Sequence, residues 1–202
     1  MLTWFDLRLC NVMSQLTSDD GFVSRGGAKL SFALDHFRIN VTDLVCADLG
    51  SHVGGFVDCL LRAGAKKVFS VDTSYGTLAW KLRKDDRVVV LERRNAMHVT
   101  IPEKIDLVTA DVGWTRQEKF LPNVATMLGS GGRVLTLIKP HYEADKASLC
   151  DGVLPDEEVE RVVADVLEGA ASNGWTVVST VASPIRGHGG NREVFALLAR
   201  DD

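Results

Sequence analysis

Leu44-Val-Cys-Ala-Asp-Leu-Gly-Ser-His-Val-Gly-Gly55 is the stretch whose reading decides the fold. Leu44 to Ala47 is an apolar run and predicts a buried strand ending at Asp48. Gly50, Gly54 and Gly55 predict a tight turn, and Phe56-Val57 followed by Leu60-Leu61 predicts an amphipathic helix directly after it. Glycine lets backbone and ligand approach closely, and a helix starting there presents unpaired N–H groups. Strand, turn and helix in this order make a nucleotide-type site at the carboxyl end of a parallel sheet.

The glycine spacing narrows the ligand. G-x-x-x-G-G is not the dinucleotide pattern G-x-G-x-x-G, and it lacks the G-K-[ST] ending of a phosphate loop. A second predicted strand, Lys67 to Val71, delivers Asp72, an acid placed to hold ribose hydroxyls. No phosphate-gripping lysine follows the turn. S-adenosylmethionine, with an adenosine and an amino-acid tail but no phosphate, fits. Any βαβ unit has a glycine turn and an acid after its next strand, so this motif alone leaves plain packing open.

With 202 residues, 46% apolar and 25% charged, the chain has the composition of one globular domain. We place it at residues 21–202, after an N-terminal extension of residues 1–20. A net charge of −4 excludes a polycation, so an RNA partner needs a local basic patch. Cys10, Cys46, Cys59 and Cys150 show no C-x-x-C spacing, and no metal site is read from them. Cys46 and Cys59 fall in predicted core elements, as thiols do in a reducing compartment. No apolar run reaches membrane length, and the charged start Met1 to Arg8 does not suit a signal peptide. The expected location is cytoplasmic.

Outward from the turn, strands and helices alternate. A helix through Leu30, Ala33, Leu34 and Phe37 precedes it, and a short helix spans Leu78 to Leu82. Val88 to Leu91 is a third strand closing at Asn95, and Ile105 to Ala110 a fourth closing at Asp111. A helix from Gln117 to Leu128 and a Gly131-Gly132 turn lead to a fifth strand, Arg133 to Ile138, which delivers Lys139. Residues 141–154 read as a loop long enough to suggest function, and Pro155 to Ala171 as an acid-rich helix. Strands Trp175 to Val181 and Glu193 to Ala199 close the chain. The alternation predicts an α/β fold with a doubly wound, mostly parallel sheet, the last two strands pairing antiparallel at one edge.

Four charged residues stand at element ends: Lys29, Asp111, Lys139 and Glu193. Singly, each is more often a solvated charge. Together, with strand ends sharing one face, they point to one site beside the turn. The order of motifs resembles the FtsJ-like ribosomal RNA 2′-O-methyltransferases, and within them the TlyA-type (hemolysin A-like) proteins. The resemblance runs from about Gly21 to Ala199 and rests on Ser24-Arg-Gly-Gly-Ala-Lys-Leu30, Asp48-Leu-Gly-x-x-x-Gly-Gly-Phe56, Val71-Asp-x-x-Tyr-Gly-x-Leu-Ala-Trp80, Glu92-Arg-x-Asn95, Leu137-Ile-Lys-Pro-x-Tyr-Glu143 and Gly190-Asn-Arg-Glu193.

The resemblance implies a Rossmann-like S-adenosylmethionine-dependent methyltransferase fold with seven strands, and a Lys-Asp-Lys-Glu tetrad at Lys29, Asp111, Lys139 and Glu193. It implies ribose 2′-O-methylation of ribosomal RNA. In that chemistry Lys139 is the candidate base, Asp111 orients it, and Glu193 positions Lys29 or the ribose. Candidate cofactor residues are Asp48, Gly50, Ser51, Gly54, Gly55, Phe56, Asp72, Thr73, Asn95, Ala96 and Asp111, with the three glycines expected along the methionine moiety. Candidate RNA contacts are Arg25, Lys81, Arg83, Lys84, Arg87, Arg186 and Arg192, which suit phosphate contact on one face or an ordinary solvated surface.

The chain departs from the family in three places. The TlyA type usually carries a small RNA-binding domain where only 23 residues precede Ser24 here, so a homodimer or helper subunit is expected to replace it. Asp111-Val-Gly-Trp-Thr-Arg116 stands for the usual Asp-Val-Ser-Phe-Ile-Ser, and His52-Val53 for Ser/Thr-Thr. The competing readings are a non-catalytic RNA- or ribosome-binding protein and a membrane-active cytolysin. An NAD-dependent oxidoreductase is disfavoured by the glycine spacing.

Overall fold

Ser24 opens the first described helix by accepting a hydrogen bond from the Gly26 N–H. The computed structural model describes residues 21–200, so the expected extension 1–20 lies outside the described residues. After α1 (Arg25–His36) the elements run β1 (Val45–Leu49), α2 (Gly55–Arg62), β2 (Lys67–Asp72), α3 (Trp80–Arg83) and β3 (Val88–Glu92). Then come β4 (Ile105–Ala110), α4 (Gln117–Met127), β5 (Leu128–Ile138), α5 (Pro140–Glu143), α6 (Asp156–Ser172), β6 (Thr176–Ala182) and β7 (Val194–Ala199).

The strands form one seven-stranded sheet in the order β3-β2-β1-β4-β5-β7-β6. β3 through β5 are parallel neighbours, and β7 runs antiparallel between β5 and β6. The expected architecture is therefore present, with β6 as the edge and the reversed strand one place inside it. The order reverses between β1 and β4. Chain leaves these two neighbours in opposite directions, which opens a crevice outside their carboxyl ends.

Both faces of the sheet are covered. Leu30, Phe56, Leu60 and Phe195 join α1 and α2 to one face, and Phe69, Phe120, Val159 and Trp175 join α4 and α6 to the other. Every residue of α2 from Gly55 to Leu61 is buried, because that helix lies between α1 and the sheet. Each fully buried Leu or Phe contributes about 1.5–3 kcal/mol against exposure. Cys46 and Cys59 are buried within this packing, which pushes both thiols up to about 12. No helix among the described residues is long and apolar enough to cross a membrane.

Two local readings change. The Gly131-Gly132 pair lies inside β5, where the register against β4 slips between Ile105↔Leu128 and Leu107↔Arg133. The glycines make a bulge within the strand, not a turn before it. Residues 141–154 hold a helical turn, a 3₁₀ turn at Lys146–Ser148 and a bridge between Cys150 and Val153. Leu154 anchors this segment, being 1% exposed, and its N–H donates to Asn191 Oδ1 at 3.0 Å.

Helix packing sets the glycines after β1. A Cβ on Gly54 (φ 98°) would lie 2.3 Å from Leu82 Cδ1 and 2.7 Å from Leu78 Cδ1. A Cβ on Gly55 would lie 2.2 Å from Ser24 Oγ and 2.9 Å from Gly27 N, where α1 meets α2. Gly55→Ala is expected to destabilise the fold by about 1–3 kcal/mol through overpacking. Gly54→Ala should cost more, since its backbone is also left-handed. Urea denaturation measures both, and parental stability in either variant contradicts this account of the packing.

Candidate active site

A cleft of about 390 Å³ opens at the β1/β4 crevice. Its walls are the turn Gly50 to Val53, the start of α1 with Ser24, Arg25 and Lys29, and the side chains of Asp48, Asp111, Lys139 and Glu193. Larger hollows lie elsewhere. One of about 450 Å³ between α4 and α6 is lined by Leu121, Val162, Trp175 and Arg200 and touches none of the four candidate catalytic residues. Size therefore does not mark the chemistry here; the convergence of charged groups does.

Gly50 brings the two central strand ends together. At φ 83° it sits where an added Cβ would be 2.6 Å from the Asp111 carbonyl oxygen, so no other residue fits unstrained. The Asp111 N–H donates to the Leu49 carbonyl at 2.9 Å, which fixes Asp111 beside the turn. Lys139 follows β5, and its Nζ lies 2.6 Å from Asp111 Oδ1, with a longer hydrogen bond of 3.4 Å to the Asp111 carbonyl. Asp111 Oδ1 receives no well-directed hydrogen bond, so the short contact is chiefly Coulombic. Across the cleft, Lys29 Nζ donates to Glu193 Oε2 at 2.5 Å, with both side chains under a tenth exposed. Glycine is required beside this pair too, because a Cβ on Gly187 would fall 2.3 Å from Glu193 Oε1. The four residues form two lysine–carboxylate pairs facing one cleft, Lys29 with Glu193 and Lys139 with Asp111.

Asp48 has an unusual environment. It is 1% exposed, and its Oδ1 accepts from Thr109 Oγ1 at 2.8 Å. Its Oδ2 has no hydrogen-bond partner among the described residues. Burial pushes this carboxyl up to about 8, the Thr109 hydrogen bond opposes the rise, and Asp111 and Asp72 add to it. Asp72 behaves oppositely. Burial alone would raise it, but donors outweigh that: the Ser74 N–H at 2.7 Å and the His52 N–H at 2.8 Å hold its carboxylate below the usual range.

The other expected cofactor residues divide. Gly50, Ser51, Gly55 and Phe56 line the cleft with Asp48 and Asp111. Gly54 does not: its open side faces Leu78 and Leu82, because α3 packs there. Asp72 and Thr73 close β2, while Asn95 and Ala96 follow β3, all outside the lining of the 390 Å³ cleft. Asn95 uses its Oδ1 to accept from the Met97 N–H at 2.9 Å.

The basic residues are mostly engaged within the chain. Arg83 pairs with Glu92 and donates to the Leu78 carbonyl. Arg87 pairs with Asp85 at 2.7 Å, Lys81 with Asp58 at 3.0 Å, and Arg186 with Asp156 at 2.7 Å. The Lys84 ammonium lies 5.2 Å from the centre of the Trp80 ring. Arg25 stands at the cleft wall, and Arg192 is half-buried next to Glu193. Sequence reasoning missed an aromatic rim. Trp114, 88% exposed, lies 4.9 Å from Tyr142, beyond Lys139. His141 packs on the same Tyr142, and burial together with Lys139 pushes its imidazole down to about 4, so it is neutral at neutral pH. The signal was available: both aromatics lie within three residues of a tetrad member.

Lys29→Met would leave Glu193 buried without a counterion and should destabilise the fold by about 3–5 kcal/mol. Lys29→Met with Glu193→Leu should recover most of that loss, since replacing both charges removes the unpaired ion. Chemical denaturation of the three proteins checks this. A single variant as stable as the parent would contradict the buried pair.

The profile of a family described as FtsJ-like methyltransferase matches residues 22–200. TlyA of Mycobacterium tuberculosis (strain ATCC 25618 / H37Rv), named a 16S/23S rRNA (cytidine-2′-O)-methyltransferase, is 40% identical over 186 residues, covering 90% of this chain and 69% of TlyA. YqxC of Bacillus subtilis (strain 168) is 39% identical over 186 residues, covering 88% of this chain, which spans 65% of YqxC. A solved structure of a Streptococcus thermophilus protein bearing the hemolysin name is similar with a TM-score of 0.86 at 36% identity, covering 90% of this chain and 68% of the other. Profile, relatives and fold agree over nearly all the described residues, and the chain belongs to the FtsJ-like methyltransferase family.

Proposed function

We propose that this chain transfers a methyl group from S-adenosylmethionine to a ribose 2′-hydroxyl of ribosomal RNA. The observation that carries this reading is the meeting of two lysine–carboxylate pairs, Lys139–Asp111 and Lys29–Glu193, at the rim of the Gly50 turn. The RNA substrate follows from similarity to the Mycobacterium tuberculosis protein, whose name specifies cytidine 2′-O-methylation of 16S and 23S rRNA.

The residues present suit the cofactor. The unpartnered Asp48 Oδ2 matches a cationic amino-acid tail, and the ionised Asp72 matches a ribose diol. Gly50 and Gly55 keep the turn open, with Ser51 and Phe56 beside them. Asn95 and Ala96, after β3, are the proposed neighbours of the adenine, with Thr73 after β2 a further cofactor contact. When bound, S-adenosylmethionine supplies a methyl group on a sulfonium that leaves as a neutral thioether.

The chain's own groups then handle the acceptor. Lys139, after losing a proton to solvent, takes the proton from the 2′-hydroxyl as the oxygen attacks. Asp111 holds that amine in place at 2.6 Å. Lys29, fixed by Glu193 in a water-poor corner, positions the ribose and offsets charge developing on its oxygen. Holding both reactants in line supplies much of the acceleration. Arg25 at the cleft wall and Arg192 next to Glu193 are the proposed first phosphate contacts, while Lys81, Arg83, Arg87 and Arg186 also hold partners within the chain. A second copy or helper protein supplying further RNA contacts belongs to this proposal.

Lys139→Ala should bind S-adenosylmethionine about as well as the parent, while methyl transfer to ribosomal RNA falls by roughly a hundredfold or more. Lys139→Arg should not restore it, because a guanidinium stays protonated. Calorimetry for binding and labelled-methyl transfer for turnover separate the two effects. An active Lys139→Ala protein contradicts the assignment of the base.

A further inference from the structure

Asp111 opens the loop through Arg116 that leads into α4, and Lys139 opens the turn that holds α5. These two segments meet again at their far ends. α4 starts without a cap of its own, since the Arg116 side chain makes no capping hydrogen bond. Its first N–H, that of Gln117, donates instead to Glu143 Oε1 at 2.9 Å, and Glu143 closes α5. A carboxylate there satisfies an N–H that has no acceptor within the helix, at the positive end of the helix dipole. Gln117 is 4% exposed, and its Oε1 accepts from Thr136 Oγ1 on β5 at 2.8 Å, so the start of α4 is tied to the strand that delivers Lys139. The turn itself is tight, with the Tyr142 N–H donating to the Lys139 carbonyl at 2.8 Å and the Ala144 N–H to the Pro140 carbonyl at 2.9 Å. Loop and turn therefore close on each other at Asp111–Lys139, at Trp114–Tyr142 and at Gln117–Glu143.

Resting on the methyltransferase reading above, we propose that Glu143 is a positioning residue of the reaction, clasping the Asp111 loop to the Lys139 turn. Neither Glu143 nor Gln117 lines the catalytic cleft; both border the hollow between α4 and α6, so the role is not contact with the reacting groups. The need for a clasp follows from the path of the proton. The contact of Lys139 with Asp111 is chiefly Coulombic, and it weakens once Lys139 has given up a proton to act as base. The hydrogen bond from Gln117 to Glu143 depends on the charge of neither tetrad member. It holds loop and turn in register at the moment when the ion pair no longer does. A misplacement of roughly 1 Å at that moment costs on the order of a hundredfold in rate.

The test is steady-state methyl transfer by the full chain to ribosomal RNA, with S-adenosylmethionine binding followed by calorimetry. Glu143→Leu keeps the bulk but removes the acceptor. Its kcat should fall by roughly tenfold to a hundredfold, while KM for RNA and cofactor affinity stay at parental values. Glu143→Gln keeps an oxygen for the Gln117 N–H and should retain most of the turnover. Gln117→Pro removes that N–H from the other side. Proline suits the first position of a helix, and the extended Arg116 (φ −66°, ψ 149°) suits the residue before it, so the fold should survive. Gln117→Met loses the same side-chain amide and keeps the N–H. Proline should reproduce the loss seen in Glu143→Leu, and methionine should not. Glu143→Leu combined with Gln117→Pro should be no slower than either alone, because both break one contact.

Parental kcat in Glu143→Leu, or equal kcat in Gln117→Pro and Gln117→Met, would overturn the proposal. A loss in Glu143→Gln as deep as in Glu143→Leu would also overturn it, since the charge and not the hydrogen bond would then be acting. Amide hydrogen exchange separates the contact from the activity. The Gln117 amide of the parent should exchange slowly for a first-turn amide and fast in Glu143→Leu; fast exchange in the parent would overturn the clasp itself. A parent protein with a slow Gln117 amide but no methyl transfer to RNA would overturn the underlying methyltransferase reading, and the catalytic role of Glu143 with it.

Discussion

The approach of Gly50 to the Asp111 carbonyl is the contact on which the site depends. β1 and β4 lie side by side, with Leu49 opposite Ala110, and the next residue of each strand must turn away without separating the pair. An added Cβ at 2.6 Å would force them apart. Because they stay together, Asp111 stands where Lys139, arriving from the neighbouring β5, can meet its carboxylate. The same closeness places Asp48 behind the turn, sealed from solvent. One glycine thus links the sheet's topological reversal to the charges that face the cleft.

Those charges are expensive to bury, and their arrangement reflects that cost. Lys29 and Glu193 sit under a tenth exposed, and such a pair is rarely worth more to stability than apolar side chains of equal volume. Stability does not explain its presence; the proposed reaction would, since it calls for fixed, dry charge beside the ribose. Lys139 and Asp111 are more open, at 16% and 27% exposed, as suits groups that must meet a substrate from solution. The neutral His141 and the Trp114–Tyr142 contact extend this rim with aromatic surface.

Much of this was legible in the chain, for identifiable reasons. Short, mainly apolar segments ending at Asp48, Asp72, Asp111 and Lys139 marked parallel strands and placed their last residues on one face. What was not legible depended on contacts between residues far apart in sequence. Gly54 read as ligand-facing because a glycine turn looks the same whether a cofactor or a neighbouring helix demands the space; Leu82 decides it, 28 residues away. Lys81, Arg83 and Arg87 read equally as a phosphate-binding cluster or a solvated surface, and their ion pairs with Asp58, Glu92 and Asp85 form only once the chain folds. The pairing within the tetrad was likewise hidden, since order along the chain does not say which lysine meets which acid.

The central claim is that the paired lysines direct methyl transfer to a ribose oxygen, and the position of the transferred methyl tests it most directly. Ribosomal RNA or ribosomal subunits incubated with the protein and methyl-labelled S-adenosylmethionine can be digested to nucleosides and separated. The account predicts label on a 2′-O-methylated nucleoside. Label on a base, or RNA that stays unlabelled under conditions where the cofactor binds, would contradict it.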